Sequence, residues 1–238
     1  MAPHAATGPA MDRLALFDLD HTLLTGDTDV LWCEFLMAHG VLDRSAFESR
    51  NAEMERRYRE GSVSAAEFSG FFVATLAGRT REGWAGLRQA FLREVIVPRI
   101  PPQAVALVRS HQAAGDLVVM TTATNRFLTE LTAEFLGIAH LIATECEEDA
   151  VGFTGRTCGT LNMREGKVAR LHAWLAQRGQ ALPDWHSMFY SDSRNDLPLL
   201  EVVREAVAVD PDPHLAAVAA ERGWRVLRLR EALPQTTP

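Results

Sequence analysis

Apolar and polar positions along this chain follow two rhythms. Short uninterrupted apolar runs alternate with stretches in which apolar residues return every three or four positions. The first rhythm is that of strands buried on both faces of a parallel sheet, and the second is that of helices packed against it. Leu14–Phe17, Leu117–Met120, Leu141–Ala143 and Met188–Tyr190 read as strands, with Ala206–Val209 and Arg225–Arg228 as a fifth and a sixth. Helices fall between them. One has Ala104, Leu107, Val108 and His111 on one face, the next carries Phe127, Leu128, Leu131 and Phe135, and a third runs over Glu165–Gln177. Gly152–Gly159, rich in Gly and Thr, reads as a hairpin or extended loop.

The alternation is interrupted once. After Leu14–Phe17 no strand signal recurs until Leu117, and the intervening residues have helical periods. Asp29–Ala38 places Leu31 and Phe35 on one face, and Ser45–Tyr58 is strongly charged. Ser64–Leu76 sets Ala65, Phe68, Phe72 and Leu76 near one stripe, with Ser64 and Glu67 spaced as a capping box. Glu82–Val95 ends before Pro98 and the Pro101-Pro102 pair. The expected architecture is therefore α/β. A Rossmann-like parallel sheet with helices on both faces is built from residues 12–24 and 101–232, and a helical cap, 25–100, is inserted after the first strand. Residues 1–11 and 233–238 are expected to be flexible termini.

Composition narrows the class of protein. The 238 residues are 47% hydrophobic and 23% charged, the balance of a water-soluble globule. Net charge is −7, and no block of Lys and Arg occurs, which argues against nucleic acid or an anionic membrane surface as partner. No apolar run reaches the ~18 residues of a membrane span. Met1–Ala10 lacks the apolar centre of a signal peptide. Cys33, Cys146 and Cys158 have no metal-ligand spacing and read as reduced, buried thiols, which fits a cytoplasmic location. The five tryptophans, Trp32, Trp84, Trp174, Trp185 and Trp224, are scattered and read as packing residues.

The chemistry lies where strands end. The first strand runs into Asp18 and Asp20, the second into Thr121-Thr122-Ala123-Thr124, and the fourth into Asp192 and Asp196. Lys167 opens a helix between the last two. Parallel strands present their C-terminal ends along one edge of the sheet, so these groups can converge in one crevice. Carboxylates, a hydroxyl and an ammonium make a coherent site for phosphoryl transfer, with a hard divalent cation held by oxygen ligands. Taken singly, each member has a plainer reading. Lys167 alone is an ordinary helix lysine, Thr122 alone a turn or N-cap residue interchangeable with Thr121 or Thr124, and Asp196 alone a cap for the helix at Leu197-Pro198.

Taken together, FDLDHTLL, the threonine ending VVMTT, the lysine of EGK and SDSRND resemble, in order and placement, the four motifs of the haloacid dehalogenase superfamily. The resemblance covers about residues 12–230. It implies that Asp18 is a nucleophile that becomes an aspartyl-phosphate. Asp20 would protonate the leaving group and then activate water, its backbone carbonyl binding Mg²⁺. Thr122 would hold a phosphoryl oxygen, and Lys167 would steady nucleophile and phosphate. Asp192 would complete the metal ligands with Asp18 and Asp20, supported by Asn195 and Asp196. Superfamily dehalogenases lack an acid at the position of Asp20, so a phosphate ester is the implied substrate. A phosphotransferase and, more remotely, a non-catalytic phospho-binding module are the alternatives.

The helical cap resembles that of phosphoserine-phosphatase-like members. There an acidic residue nine positions after the nucleophile meets a substrate amine, which here falls on Asp27, with Asp29 close by. The arginine those enzymes use for the substrate carboxylate has no counterpart, since Gly70, Phe71 and Phe72 stand in its place. Arg56, Arg57 and Arg79 are the residues that could reach in from elsewhere. An acid for an amine without a partner for a carboxylate suits an amino-alcohol phosphate such as histidinol phosphate better than phosphoserine. Phe71 and Phe72 are candidate walls for the leaving group, with packing in the cap core as their other reading. The expected partner is thus a small phosphorylated metabolite.

Overall fold

The computed structural model describes residues 11–59, 62 and 64–230. The termini expected to be flexible therefore lie outside the described residues, Met11 excepted. Seven strands form one sheet in the order β4-β3-β2-β1-β5-β6-β7, parallel except for β3 with β4. The central strand is β1 (Arg13–Phe17), flanked by β2 (Leu117–Asn125) and β5 (His186–Ser191). Beyond them lie β3 (His140–Asp149) and β4 (Gly152–Cys158) on one side, β6 (Glu205–Val209) and β7 (Arg225–Leu227) on the other. The register pairs Leu14 with Leu117 and Ser187, and Phe17 with Met120 and Tyr190.

Side-chain alternation explains why β1 is apolar at consecutive positions. Leu14 and Leu16 point into a layer with Leu171 and Leu175 of α7 (Glu165–Ala176), Leu199 of α8 (Leu197–Leu200) and Leu215 of α9 (Pro213–Arg222). Ala15 and Phe17 face the opposite layer with Ala104 and Val108 of α5 (Pro102–Ala113) and Phe127 and Leu128 of α6 (Arg126–Phe135). On that side the Phe17 ring stacks on Tyr190 with centroids 4.6 Å apart. The buried His111 bridges the Tyr190 hydroxyl, 2.8 Å from Nε2, and Asp116, 2.6 Å from Nδ1. The strand that delivers Asp18 is thus locked laterally by hydrogen bonds and vertically by stacked rings.

Two strands run further than their apolar runs. β2 continues through Thr121–Asn125 because threonines suit a pleated surface and each buried hydroxyl finds a partner. β3 continues past Ala143 to pair antiparallel with β4, so Gly152–Cys158 is a seventh strand. The expected helix over Glu82–Val95 divides into α4 (Arg81–Phe91), a wide turn over Leu92–Ile96 and a tight turn over Val97–Arg99. Pro98 cannot donate a helical hydrogen bond, and the ladder loosens ahead of it.

Helices α1 (Thr28–Ala38), α2 (Arg44–Arg59), α3 (Ala65–Val73) and α4 form the insertion between β1 and α5. Its two ends meet where the Thr25 N–H donates to the Arg99 carbonyl at 2.8 Å. Trp32, Phe35, Trp84 and Phe91 pack its interior against the sheet layer, and Trp84 Nε1 donates to the Leu76 carbonyl. The packing reading thus holds for Trp32 and Trp84, both essentially buried. Of the thiols, all free, only Cys33 is buried; Cys158 is exposed on β4, which corrects the expectation of three buried cysteines.

The β3–β4 hairpin clasps the insertion. Gly78 N–H donates to the Phe153 carbonyl at 2.9 Å, Phe153 N–H donates to the Arg79 carbonyl at 3.0 Å, and Arg81 forks onto Glu148. Gly152 has φ +132°, and a Cβ there would stand 2.4 Å from the Arg79 carbonyl oxygen. Gly159, with φ +67° and nothing within 4 Å of a Cβ, carries the backbone strain alone. Overpacking costs about 1–3 kcal/mol, so Gly152→Ala is expected to destabilise by about 2 kcal/mol more than Gly159→Ala. For a chain of this length that is a further ~4–8 °C in Tm by thermal unfolding; equal shifts would show that the hairpin yields freely.

Candidate active site

The C-terminal ends of β1, β2 and β5 open onto a cavity of about 240 Å³. It is lined by Asp18, Asp20, Asp27, Asp29, Asp192 and Asp196, by Lys167, and by Phe68, Ser69 and Thr124 among others. The sheet edge and the insertion therefore share one site. Asp18 continues the ladder one step past β1, its N–H donating to the Tyr190 carbonyl at 3.0 Å. The chain then closes into a tight loop in which Thr22, Leu23 and Leu24 N–H groups all turn back on the Leu19 carbonyl.

A buried ammonium organises the centre. Lys167 Nζ lies 2.7 Å from Asp18 Oδ1 and 2.7 Å from Asp196 Oδ2, and Ser191 Oγ donates to the same Asp196 oxygen at 2.7 Å. Burial alone would lower the ammonium's pKa, but the two carboxylates beside it more than reverse this and hold it above its ordinary value. Burial likewise pushes Asp18 well above the carboxylate range. Lys167 opposes that rise, while Asp196, Asp192 and Asp20 add to it.

The local backbone is built to deliver Lys167. The loop before α7 is pinned by the buried Asn162, whose Nδ2 lies 2.9 Å from Thr121 Oγ1, 2.9 Å from the Thr122 carbonyl and 3.0 Å from the Ile142 carbonyl. At Gly166 a Cβ would stand 2.0 Å from the Leu161 carbonyl oxygen, so only glycine permits the turn that points the next residue inward. Asp196 stands at the N-cap position of α8 but makes no side-chain capping bond; its side chain is held by Lys167 and Ser191.

Thr22 joins the two outer carboxylates. Its hydroxyl accepts the Asp192 N–H at 3.0 Å and lies 3.2 Å from Asp18 Oδ2 and 2.9 Å from Asp192 Oδ1. Burial raises Asp192 to about 6 against the lowering effect of Thr22. Asp20 points elsewhere. It accepts from the Thr28 N–H at 2.7 Å, from the Thr28 hydroxyl, and from Thr124 Oγ1 at 2.7 Å and Thr122 Oγ1 at 3.3 Å.

Three expected residues are placed differently from their assigned tasks. Between Thr122 and Asn125 the register of β2 against β3 slips, and the resulting bulge turns Ala123 and Thr124 to the cavity. Thr122 is fully buried behind them, and its hydroxyl is engaged with Asp20 and the Thr124 N–H. Phe71 and Phe72 do not line the cavity. They pack with Cys33, Phe47 and Met54, while Phe68, one turn earlier on α3, faces the cavity instead. Helical spacing alone could not tell which side of α3 meets the insertion's own core.

Asp27 and Asp29 do reach the cavity. Asp27 is the N-cap of α1, its Oδ1 accepting the Val30 N–H at 3.0 Å. Burial and the nearby Asp20 raise it to about 6. Asp29 is pushed well up by burial, Asp27 and Asp20, against a single hydrogen bond from Asn125 Nδ2 at 3.2 Å. Among the described residues no arginine lines the cavity. Arg57 pairs with Glu67, Arg56 with Glu53, and Arg79 lies over the Trp84 ring at 4.5 Å.

The donors near Asp18 are all oxygens, the set a hard cation prefers. Among the described residues no group of three or more His, Cys, Asp or Glu side chains is placed to hold a metal. That agrees with the turn of the Asp20 carboxylate toward the threonines. A divalent cation fits this site only with the side chains of Asp18 and Asp192, already gathered by Thr22, and a backbone carbonyl such as that of Asp20.

Thr22, Thr28, Thr124, Ser191, Asn125 and Asn162 carry no signal of their own in the sequence. Only the fold shows what each does: Thr22, Thr28, Thr124 and Ser191 hold motif acids through their hydroxyls, Asn125 donates to Asp29, and Asn162 ties the loop before α7 to β2 and β3. Asn195 lines the cavity, its N–H bonded to Ser193 Oγ. Among the described residues no helix is long and apolar enough to cross a membrane.

Comparison with known proteins identifies the family. Residues 15–201 match the haloacid dehalogenase-like hydrolase family. A histidinol-phosphatase of Neisseria meningitidis is 40% identical over 92% of this chain and 100% of its own. The phosphoserine phosphatase SerB1 of Mycobacterium tuberculosis is 31% identical over 97% of this chain and 77% of its own. A solved structure of a Bordetella pertussis protein of unknown function superposes with TM-score 0.89 at 45% identity, covering 92% of this chain and all of that one. A substrate-bound phosphoserine phosphatase shares the fold at TM-score 0.65 and 17% identity, over 92% of this chain and 93% of that one. The chain belongs to the haloacid dehalogenase-like hydrolases, among their phosphatases.

Proposed function

We propose that this protein is a Mg²⁺-dependent phosphatase that hydrolyses a small amino-alcohol phosphate, such as histidinol phosphate, through an aspartyl-phosphate on Asp18. The observation that carries the reading is the setting of Asp18. One oxygen rests on Lys167 and the other on Thr22, at the floor of a cavity whose far wall is acidic and free of arginine among the described residues.

The chemistry follows from these contacts. A carboxylate oxygen of Asp18 attacks phosphorus, and the bond from phosphorus to the leaving oxygen breaks. Asp20 supplies the proton that oxygen needs. Water then attacks the acyl phosphate, Asp20 takes its proton, and inorganic phosphate leaves with Asp18 restored. Lys167 offsets negative charge at Asp18 in both halves, and Asp196 and Ser191 keep the ammonium in place. The backbone at Ala123, which lines the cavity, would hold a phosphoryl oxygen, while the Thr122 and Thr124 hydroxyls brace Asp20. Mg²⁺ held by Asp18, Asp192 and the Asp20 carbonyl would neutralise charge on the phosphoryl oxygens.

The wall of the insertion reads the leaving group. Asp27 and Asp29 suit a cationic nitrogen, and nothing among the described residues there suits a carboxylate. The name of the Neisseria relative supports an amino-alcohol ester, while that of the Mycobacterium relative keeps phosphoserine as the competing substrate. Transfer to an organic alcohol in place of water is the other reading the same centre permits.

Asp18→Asn removes the attacking carboxylate while keeping its shape, so kcat for any phosphate monoester should fall by about 10³-fold or more. A variant of near-normal turnover would exclude the covalent route. Chelation with EDTA should abolish hydrolysis, and Mg²⁺ should restore it and raise Tm, because a ligand bound only to the folded state stabilises it. Activity that persists through chelation would remove the metal from the account.

A further inference from the structure

The motif residues end at Asp196 and the family match at residue 201, yet the chain beyond them returns to the site. β6 and β7 run parallel to β5, so their C-terminal ends lie on the same edge of the sheet as those of β1 and β5. The turn after β6 is Asp210-Pro211-Asp212-Pro213, stiffened by two prolines of fixed φ. Asp212 is tied twice to the end of β5. Its N–H donates to the Asp192 carbonyl at 2.8 Å, and its Oδ2 accepts the Arg194 N–H at 2.7 Å. Its Oδ1 meanwhile caps α9 through the His214 and Leu215 N–H groups.

Asp210 serves the end of β7. Its Oδ2 accepts the N–H groups of Leu229 and Arg230 at 3.0 and 3.2 Å, and its own N–H donates to the Leu227 carbonyl at 2.9 Å. The Arg230 side chain, within ion-pair reach of Asp210, goes on to the loop after β1, where Nη2 donates to the His21 carbonyl. His21 stands between Asp20 and Thr22 and lines the cavity, and its N–H donates to the Gly26 carbonyl at 3.1 Å. The two residues that Arg230 joins, His21 and Asp210, have φ of +57° and +41°. Side chains rarely adopt that region, and they persist in it where neighbouring contacts over-determine the backbone. One guanidinium thus reaches from the end of β7, past β5 and β6, to the peptide that follows Asp20.

We propose that Arg230 and the 210–213 turn form a brace that fixes the loop after β1 against the turn after β5. Arg230 is then a positioning residue for the Asp20 carbonyl, and Asp212 for Asp192. Together with Asp18, these are the groups that would hold Mg²⁺, so the brace's service to the cation rests on the metal reading above. A cation bound by oxygens from two loops needs their separation set before it arrives, and residues behind the ligands set it. Thr22 ties the loops from inside, between Asp18 and Asp192. The brace ties them from outside, with residues that none of the motifs contains.

The test compares three variants of the full-length chain. Arg230→Leu keeps an apolar stem and loses the donor, and Arg230→Lys restores a donor and the charge. Arg222→Leu is the control, since it removes a guanidinium of α9 that pairs with Glu201. In metal-free protein, hydrogen exchange over residues 19–26, read by mass spectrometry, should quicken roughly threefold or more in Arg230→Leu and return most of the way in Arg230→Lys. Exchange there should not change in Arg222→Leu. Calorimetry should show Mg²⁺ affinity falling by about fivefold or more in Arg230→Leu, with the same rescue by lysine. Unchanged exchange over 19–26 in Arg230→Leu, or the same quickening in Arg222→Leu, would overturn the brace. Faster exchange with Mg²⁺ affinity untouched would overturn its service to the cation. If the wild-type protein takes up no Mg²⁺ while the loop loosens in Arg230→Leu, the metal reading fails and the brace stands.

Discussion

One buried ammonium holds the centre of this protein together. Lys167 is essentially without solvent, 2.7 Å from each of two carboxylates that arrive from opposite sides. Asp18 comes from the end of the central strand and Asp196 from the turn after β5. Without the lysine, two buried carboxylates would face each other unpaired; without either carboxylate, a buried cation would stand half-answered. Much of the surrounding architecture can be understood as what is required to bring that one nitrogen to that one place. Asn162 ties the loop before α7 to β2 and β3, and Gly166 permits its close turn. The Phe17, Tyr190 and His111 stack keeps β1 and β5 in register beneath it.

The same electrostatics joins the sheet to the insertion. Asp20 leaves β1 yet takes its hydrogen bonds from Thr28 of α1 and from Thr124 of the β2 bulge. Asn125 and Asp29 repeat that crossing a few ångströms of chain further on. The hairpin of β3 and β4 holds the far end of the insertion through backbone bonds at Gly78 and Arg79. The insertion is therefore fastened at its base, at its far end and at the site itself. Its position and the orientation of the Asp20 carboxylate are mechanically linked.

Much of this was legible in the sequence because the motif residues obey strand logic. An apolar run that stops abruptly at an acid marks a strand end, and parallel strands collect their ends on one edge. Asp18, Asp20, Lys167, Asp192 and Asp196 met in one cavity for that reason. What stayed hidden depends on local geometry that no periodicity encodes. The bulge that brings Ala123 and Thr124 to the cavity and leaves Thr122 behind them is a slip of register, invisible in a run of threonines. Phe68 and Phe72 sit on one apolar stripe, and only packing of α3 on Phe47 and Met54 decides which of them reaches the cavity. β4 was obscured because its pairing with β3 lies beyond the apolar part of that strand, where Glu145 is satisfied by Arg126 and Arg170 in place of burial.

The central claim is that Asp18, among the six aspartates of the cavity, is the one that bonds to phosphorus. Borohydride reduces an acyl phosphate and leaves free carboxylates intact. Quenching the protein during turnover of a phosphate monoester, reducing it and mapping its peptides by mass spectrometry reads the reacting residue directly. Conversion of Asp18 to homoserine is expected, dependent on substrate and absent from every other aspartate. Conversion at Asp20 or Asp192, or none at any aspartate during active turnover, would contradict it.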